Sequence, residues 1–112
     1  MDIEDISKRL TKFAEDRDWN QYHSPKNLAI SLAIEVSELL EIFQWLPENL
    51  PSDEATKDKA SEEIADILIY AIMFSHKMNI DIGKAVLKKI EVNDKKYPVD
   101  KAKGIAKKYN EL

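Results

Sequence analysis

Apolar side chains recur at helical spacing along most of this chain, and few residues that break helices interrupt them. Ile3, Ile6 and Leu10 begin the first such series, which places them on one face of an α-helix. The 112 residues include only two glycines, no Asn-Gly or Asp-Gly pair and no clear alternation of apolar with polar residues. Because tight β-hairpins depend on those features, the sequence predicts an all-α fold.

Start and stop signals divide the chain into four helices and a tail. Ser24-Pro25 joins an N-cap residue to a proline at the first helical position, a strong start signal. A single small domain over residues 1–112 with a four-helix-bundle-like fold is expected. The predicted helices run from about Asp2 to Asp16, from Pro25 to about Trp45, from a start between Ser52 and Asp58 to about Met78, and from a cap at Asp81 to about Lys95, with a loop over residues 46–56 and a short helix or flexible arm over residues 99–112.

Composition excludes several classes of protein. The formal net charge is −4, which argues against binding to a nucleic acid polymer. The chain has no cysteine, so disulfides and zinc-thiolate sites are excluded. The acidic start is unlike a signal peptide, and the longest apolar run, Ile67–Phe74, is far shorter than the ~20 residues that a membrane span needs. We expect a cytoplasmic protein without a membrane segment.

Two pairs of carboxylates lie where helical spacing predicts apolar surface. Glu35 and Glu38 are one turn apart inside the apolar arc of the second helix, because each residue advances the helix by about 100°. Glu63 and Asp66 repeat this spacing in the third helix, and Asp66 directly precedes the apolar run that begins at Ile67. The pattern therefore brings up to four carboxylates together.

Converging carboxylates repel one another, and their burial costs several kcal/mol each without compensation. A hard divalent cation offsets both costs, and all-oxygen ligands suit Mg²⁺ or Mn²⁺. Di-iron bundles need Glu-x-x-His pairs, whereas His23 and His76 are not placed for that role. Two ordinary salt-bridged helix faces are the alternative interpretation of the same pattern.

Cationic and aromatic residues lie near these pairs in the sequence. Lys89, Asn93 and Lys96 share one face of the fourth helix, which suits phosphate binding but equally suits a solvated helix end. Aromatic rings can stack on a nucleobase, although such residues are more often part of a core. The candidates for this role are Trp19, Tyr22, His23, Trp45 and Tyr70.

With these residues in order, the chain resembles the all-α nucleoside triphosphate pyrophosphohydrolases of the MazG-like superfamily, in particular the dCTP pyrophosphatase branch. The resemblance covers nearly the whole chain. Two departures stand out: Lys96 replaces a common arginine, and Ser37 replaces a common glycine. The segments that carry the resemblance are Arg17–Leu28, Glu35–Leu39, Phe43–Trp45, Glu62–Tyr70, Lys89–Pro98 and Lys108–Tyr109.

The resemblance implies a role for each candidate residue. It implies Mg²⁺ held by Glu35, Glu38, Glu63 and Asp66. It implies phosphate binding by Lys89, Asn93 and Lys96 with Tyr97 nearby, and a base and sugar pocket lined by Trp19, His23, Trp45 and Tyr70. It further implies a homo-oligomer, either a dimer or a tetramer, with sites built between subunits.

The working hypothesis is Mg²⁺-dependent hydrolysis of a nucleoside triphosphate to the monophosphate and pyrophosphate. The resemblance points to dCTP or a modified dCTP as the substrate. Glu38 is the candidate general base, because a carboxylate in a partly apolar site has a raised pKa. A regulator that binds nucleotide and metal without turnover and a helical interaction module are the alternatives.

Overall fold

The computed structural model describes residues 1–48 and 53–112, and this part of the chain contains helices and turns but no strand. The predicted all-α fold is therefore confirmed. Part of the predicted loop over residues 46–56 lies outside the described residues. The helices are α1 (Ile3–Asp16), α2 (Pro25–Phe43), α3 (Glu54–Lys77), α4 (Ile82–Lys96) and α5 (Val99–Ala102), and 3₁₀ turns span Asn20–Tyr22 and Tyr109–Glu111.

Side chains at the predicted start positions cap four helices. Asp2 accepts a hydrogen bond from the backbone N–H of Asp5 at 3.0 Å at the start of α1. The Ser24 hydroxyl accepts a hydrogen bond from the backbone N–H of Asn27 at 3.1 Å. Asp53 and Asp81 accept in the same way at the starts of α3 and α4. Each cap satisfies one of the backbone donors that the first turn leaves without a partner.

The predicted end of the second helix is less accurate than the other predicted bounds, which lie within one residue or inside the predicted window. The second helix ends at Phe43, two residues before the predicted end at Trp45. The N–H of Leu46 donates to the carbonyl of Phe43 at 3.1 Å, which closes a turn just before Pro47, where a helical backbone is disfavoured. The third helix begins at Glu54, so the last residues of the predicted loop are helical.

The chain forms two compact units, Met1–Ile80 and Asp81–Leu112. In the first unit, α2 packs along α3, and α1 packs on α3 as well. One buried side chain from each helix forms the centre of this packing, namely Ala14, Leu28 and Ile72. In the second unit, the rings of Tyr97 and Tyr109 meet edge to face at 6.4 Å.

Large apolar side chains remain exposed on the single chain. Leu68 is 40% exposed although it belongs to the apolar run Ile67–Phe74, for which the sequence predicts burial. The outer surface of α2 exposes Ile30, Ile34 and Leu40 as well. No helix among the described residues is both long enough and apolar enough to cross a membrane.

The end of α1 turns the chain by a Schellman motif. The N–H of Trp19 donates to the carbonyl of Ala14 at 2.9 Å, and the N–H of Asp18 donates to that of Glu15 at 3.0 Å. This pattern requires a left-handed residue in which glycine is usual, and here Asp18 takes that position with φ of 55°. The motif directs Trp19 back against Phe13, where the rings meet edge to face at 5.6 Å.

Substitutions at Asp18 test this motif. Asp18→Gly is expected to be more stable than Asp18→Ala by about 1 kcal/mol, because a Cβ is strained in the left-handed region. Urea unfolding monitored by circular dichroism measures the difference. The same pair at Asp58, an exposed position inside α3, is the control and should show the opposite order, since glycine weakens a helix interior. Equal stability of the two Asp18 variants contradicts the account.

Candidate active site

The packing of α2 along α3 brings the predicted carboxylates together. One oxygen from each of Glu35, Glu63 and Asp66 lies within 4.8 Å of the other two, and all three side chains are half-buried. Glu38, one turn after Glu35, is also half-buried and interacts with both Glu35 and Glu63. These four residues are called the carboxylate cluster below.

The carboxylate cluster is electrostatically unfavourable when left to itself. Burial and the neighbouring Glu38 raise the pKa of Glu35 to about 7, and the charges of Asp66 and Glu63 act in the same direction. The pKa of Glu63 is also raised, first by burial and then by Glu38. The cluster therefore retains protons at a pH at which separate carboxylates are fully ionised.

Two oxygens of the cluster have unmet bonding capacity. The Oε2 atoms of Glu35 and Glu63 are buried, and neither has a hydrogen-bond partner within the described residues. Buried polar atoms without partners are rare in folded proteins, and an absent ion is one explanation for them. An all-oxygen set of anionic ligands fits a hard divalent cation such as Mg²⁺ or Mn²⁺, so the residues present fit the metal that the sequence predicts.

A cavity of about 340 Å³ opens beside the cluster at Asp66; it is called the aromatic cavity below. Asp66 is the only carboxylate among the residues that line it. Two aromatic rings and an imidazole from the predicted pocket face it, namely Trp19, Tyr70 and His23. Its other walls are apolar and come from α1 and α3: Leu10, Phe13, Ile69 and Met73. Its dimensions and lining suit a planar ring with few polar groups.

Local structure places each of these side chains. The Schellman motif at the end of α1 directs Trp19 into the cavity, and the 3₁₀ turn that follows brings His23 to within 6.3 Å of Trp19 between ring centres. Tyr70 lies four residues after Asp66 on α3 and therefore on the same face of that helix. The aromatic cavity and the carboxylate cluster thus share one helix face.

His23 stands between the aromatic cavity and a smaller one of about 200 Å³ that reaches His76 and Lys77. Its Nδ1 atom is buried without a hydrogen-bond partner among the residues that the structure describes. Burial lowers the pKa of His23, and the charge of Lys77 lowers it further. A neutral imidazole therefore faces the aromatic cavity at neutral pH.

An open cavity of about 530 Å³ lies on the other side of the cluster; it is called the polar cavity below. Glu38 and Glu63 of the cluster form part of its wall. The remaining wall residues come from the end of α2, the turn after it and the first half of α3, namely Glu41, Ile42, Leu46, Thr56, Lys59 and Glu62. The carboxylate cluster is therefore flanked by an apolar cavity and by a polar one.

Trp45, a predicted pocket residue, is not among the described residues that line these cavities. Trp45 is 86% exposed beyond the end of α2. Lys89, Asn93, Lys96 and Tyr97 belong to the second compact unit. Within that unit the Lys96 ammonium lies 4.7 Å above the ring centre of Tyr109, a cation–π contact that fixes its position.

The sequence profile of the MazG-like family matches residues 30–112 of this chain. The chain is 41% identical over 114 residues to dCTP pyrophosphatase 1 of Bos taurus and 38% identical to that of Homo sapiens. These alignments cover 98% of this chain and 68% and 67% of the two relatives. The chain belongs to the MazG-like family.

A solved structure extends the match to three dimensions. A pyrophosphatase from Archaeoglobus fulgidus is 43% identical in sequence to this chain and superposes with a TM-score of 0.75. The superposition covers 88% of this chain and 94% of the archaeal protein. The resemblance recognised in the sequence and the predicted fold class are both confirmed.

The sequence analysis missed four walls of the aromatic cavity and, apart from Glu38 and Glu63, the residues that line the polar cavity. Leu10 and Phe13 lie on the apolar face of α1, and Ile69 and Met73 lie in an apolar run. Apolar spacing identifies buried faces but does not separate a core wall from a cavity wall. The sequence does contain a signal for Lys59. It precedes Glu63 by four residues and Asp66 by seven, which places it on the same face of the helix as these carboxylates.

The raised pKa of Glu35 predicts how stability depends on pH when metal is absent. The unfolded chain ionises Glu35 near its ordinary value of 4.5, whereas the folded chain retains the proton until about 7. The folded state binds more protons between these values, so unfolding free energy falls as pH rises through this window. In Glu35→Gln, the unfolding free energy should therefore decrease less as pH rises. At pH 8 this variant should be more stable than the parent by about 1 kcal/mol.

Urea unfolding at pH 5 and pH 8 in EDTA measures this difference. Glu62→Gln is the matched control, because it removes the same charge from an exposed position next to Glu63. The control should retain the pH dependence of the parent protein. An unchanged pH dependence in Glu35→Gln shows that Glu35 titrates normally and contradicts the account.

Proposed function

We propose that this protein hydrolyses a nucleoside triphosphate to the monophosphate and pyrophosphate with Mg²⁺ or Mn²⁺, and that dCTP or a modified dCTP is its preferred substrate. One observation carries the proposal: a half-buried carboxylate cluster that suits divalent cations adjoins a cavity that suits a nucleobase. The relatives named dCTP pyrophosphatase 1 confirm the enzyme class, a nucleoside triphosphate pyrophosphohydrolase, and support the choice of base.

The aromatic cavity binds the base and orients the nucleotide. Trp19 and Tyr70 offer ring faces or edges for stacking, which contributes about 1–3 kcal/mol per base in other nucleotide sites. The neutral imidazole of His23 offers one hydrogen-bonding nitrogen beside these rings. Asp66 belongs to both the cavity and the cluster, so a base held here places its sugar and phosphates toward the carboxylates.

The carboxylate cluster prepares the site for a polyanion. Glu35, Glu63 and Asp66 would hold the divalent cations, and Glu38 would complete the set or take the proton. Bound cations would neutralise the triphosphate charge and polarise the attacking water. Water attacks the α-phosphorus, and the bond from that phosphorus to the oxygen bridging it to the β-phosphorus breaks. Pyrophosphate leaves with the bridging oxygen, and Glu38 is the proposed general base that accepts the proton of the water.

The fourth helix supplies further cations for the phosphates in this proposal. Lys89, Asn93 and Lys96 repeat at spacings of four and three residues along α4, so they share a face, and Tyr97 follows them. Lys96 is held over Tyr109, which limits its motion before substrate binds. Lysine retains the charge of the arginine that is common in the family but does not bind phosphate through two parallel hydrogen bonds.

A homo-oligomer, dimer or tetramer, is part of the same proposal. Three large apolar side chains of α2 are exposed: Ile34 by 52%, Leu40 by 65% and Phe43 by 47%. No helix among the described residues can span a membrane. An exposed apolar surface of this kind therefore supports an interface between protein chains. Trp45 continues this surface, and we propose that it reaches the base pocket of a second copy. Location in the cytoplasm stays a prediction.

Pyrophosphate release from a panel of canonical and modified dNTPs and NTPs tests the proposed activity. We expect turnover with Mg²⁺ and none in EDTA, with dCTP or a modified dCTP as the best substrate. Glu35→Gln and Asp66→Asn should each lower kcat/KM at least about a hundredfold, since each removes a charged ligand while keeping the shape of the side chain.

The control for these variants is Asp58→Asn, which makes the same chemical change on the exposed side of α3 and should retain full turnover. Glu38→Ala separately tests the proposed base, and turnover close to that of the parent removes Glu38 from the mechanism. A folded protein that releases no pyrophosphate from any nucleotide overturns the enzyme proposal. Nucleotide binding without turnover then identifies a regulator, and no binding at all leaves an interaction module.

A further inference from the structure

The polar cavity has no role in the mechanism above, although it directly adjoins the carboxylate cluster. Glu38 and Glu63 belong to both. Asp66, at the other end of the cluster, lines the aromatic cavity instead. The cluster therefore lies between a cavity that suits a planar ring and a cavity with charged walls. A nucleoside triphosphate has its groups in the matching order, with the base first, the reacting α-phosphate next and the distal phosphates last.

One face of α3 connects the two cavities. Lys59, Glu63 and Asp66 follow at intervals of four and three residues, which places them in one row along the helix. Tyr70 extends this row into the aromatic cavity, and Thr56 extends it into the polar cavity. A ligand that lies along this row with its ring against Tyr70 has its other end beside Lys59.

Charge makes Lys59 the decisive residue of the polar cavity. Its described wall carries four glutamates, two of them in the cluster, and Lys59 is the one cationic side chain among those lining residues. Across residues 1–48 and 53–112, ion pairs form along α1 only, so the Lys59 ammonium makes no salt bridge within this part of the chain. Phosphate groups that extend from the cluster into the polar cavity are repelled by its carboxylates unless a cation binds them.

We propose that the polar cavity is the subsite for the two distal phosphates and that Lys59, with Thr56 one turn before it, binds the pyrophosphate portion of the substrate. This inference rests on the proposed function, because it assigns a direction to the nucleotide in that site. Lys59 thus stabilises the negative charge that develops on pyrophosphate as it leaves. The chemical class of ligand is a diphosphate or a longer linear polyphosphate.

Calorimetric titrations of three ligands in Mg²⁺ distinguish binding at this subsite from binding at the rest of the site. Inorganic pyrophosphate and α,β-methylene-dCTP contain the distal phosphates, whereas dCMP lacks them. Lys59→Met should weaken binding of the first two by about tenfold, the effect of losing one charge-assisted contact at a partly exposed site, and change dCMP binding less than twofold. Lys59→Arg should recover most of the loss, because it restores the charge.

Lys57→Met is the matched control. Lys57 is an exposed lysine of the same helix and points to the opposite side of it, since two residues correspond to about 200°. This variant should bind all three ligands as the parent does. Circular dichroism and thermal unfolding check that each variant is folded before titration.

The outcomes distinguish this inference from the proposed function. The subsite is overturned if Lys59→Met binds pyrophosphate and the methylene analogue as tightly as the parent, or if its affinity for dCMP falls by the same factor as its affinity for these two ligands. In either case, turnover of dCTP by the parent leaves the proposed function intact. If the parent turns over no nucleotide but binds pyrophosphate through Lys59, the subsite stands and the proposed function fails. A parent protein that binds neither pyrophosphate nor the analogue overturns both.

Discussion

Repulsion among four half-buried carboxylates is the constraint on which the rest of this structure depends. Glu35, Glu63 and Asp66 approach within 4.8 Å because α2 and α3 pack along each other, and Glu38 adds a fourth charge. The helices obtain their stability from apolar contacts such as those of Leu28 and Ile72, so the fold forces together groups that repel. Burial, and after it this repulsion, raises the pKa of both Glu35 and Glu63, and a bound divalent cation would offset both costs.

The same packing supports the direction proposed for the nucleotide. The face of α3 that carries Glu63 and Asp66 continues to Tyr70 at one end and to Lys59 at the other. In the proposed orientation, a rigid helix therefore sets the distance between the ring and the distal phosphates. A loop between these surfaces would set that distance less accurately, because connecting segments are more mobile than the elements they join.

Sequence periodicity predicted the features that depend on a single helix. The pairing of Glu35 with Glu38 and of Glu63 with Asp66, and the caps at Ser24 and Asp81, follow from spacing and residue type. The position of Trp19 did not follow in this way, because it depends on a left-handed Asp18 at a place where glycine would have been the recognisable signal.

Features that depend on several elements were harder to predict. The polar cavity combines side chains from α2 and α3 that are distant in sequence. Lys59 shares a helix face with Glu63 and Asp66, but without the position of α2 this spacing does not distinguish it from a solvated lysine. Trp45 was predicted as a pocket residue, yet it is 86% exposed on the single chain. In the proposed homo-oligomer, Trp45 reaches the pocket of a second copy, and a single chain shows such a contact only as an exposed apolar surface.

A crystal structure grown with Mn²⁺ and α,β-methylene-dCTP would show whether the carboxylate cluster binds divalent cations. Anomalous scattering locates manganese independently of any assumption about the ligands. We expect an anomalous peak among Glu35, Glu63 and Asp66, with their oxygens within coordination distance of the ion. A map without such a peak among the four carboxyl groups contradicts this expectation.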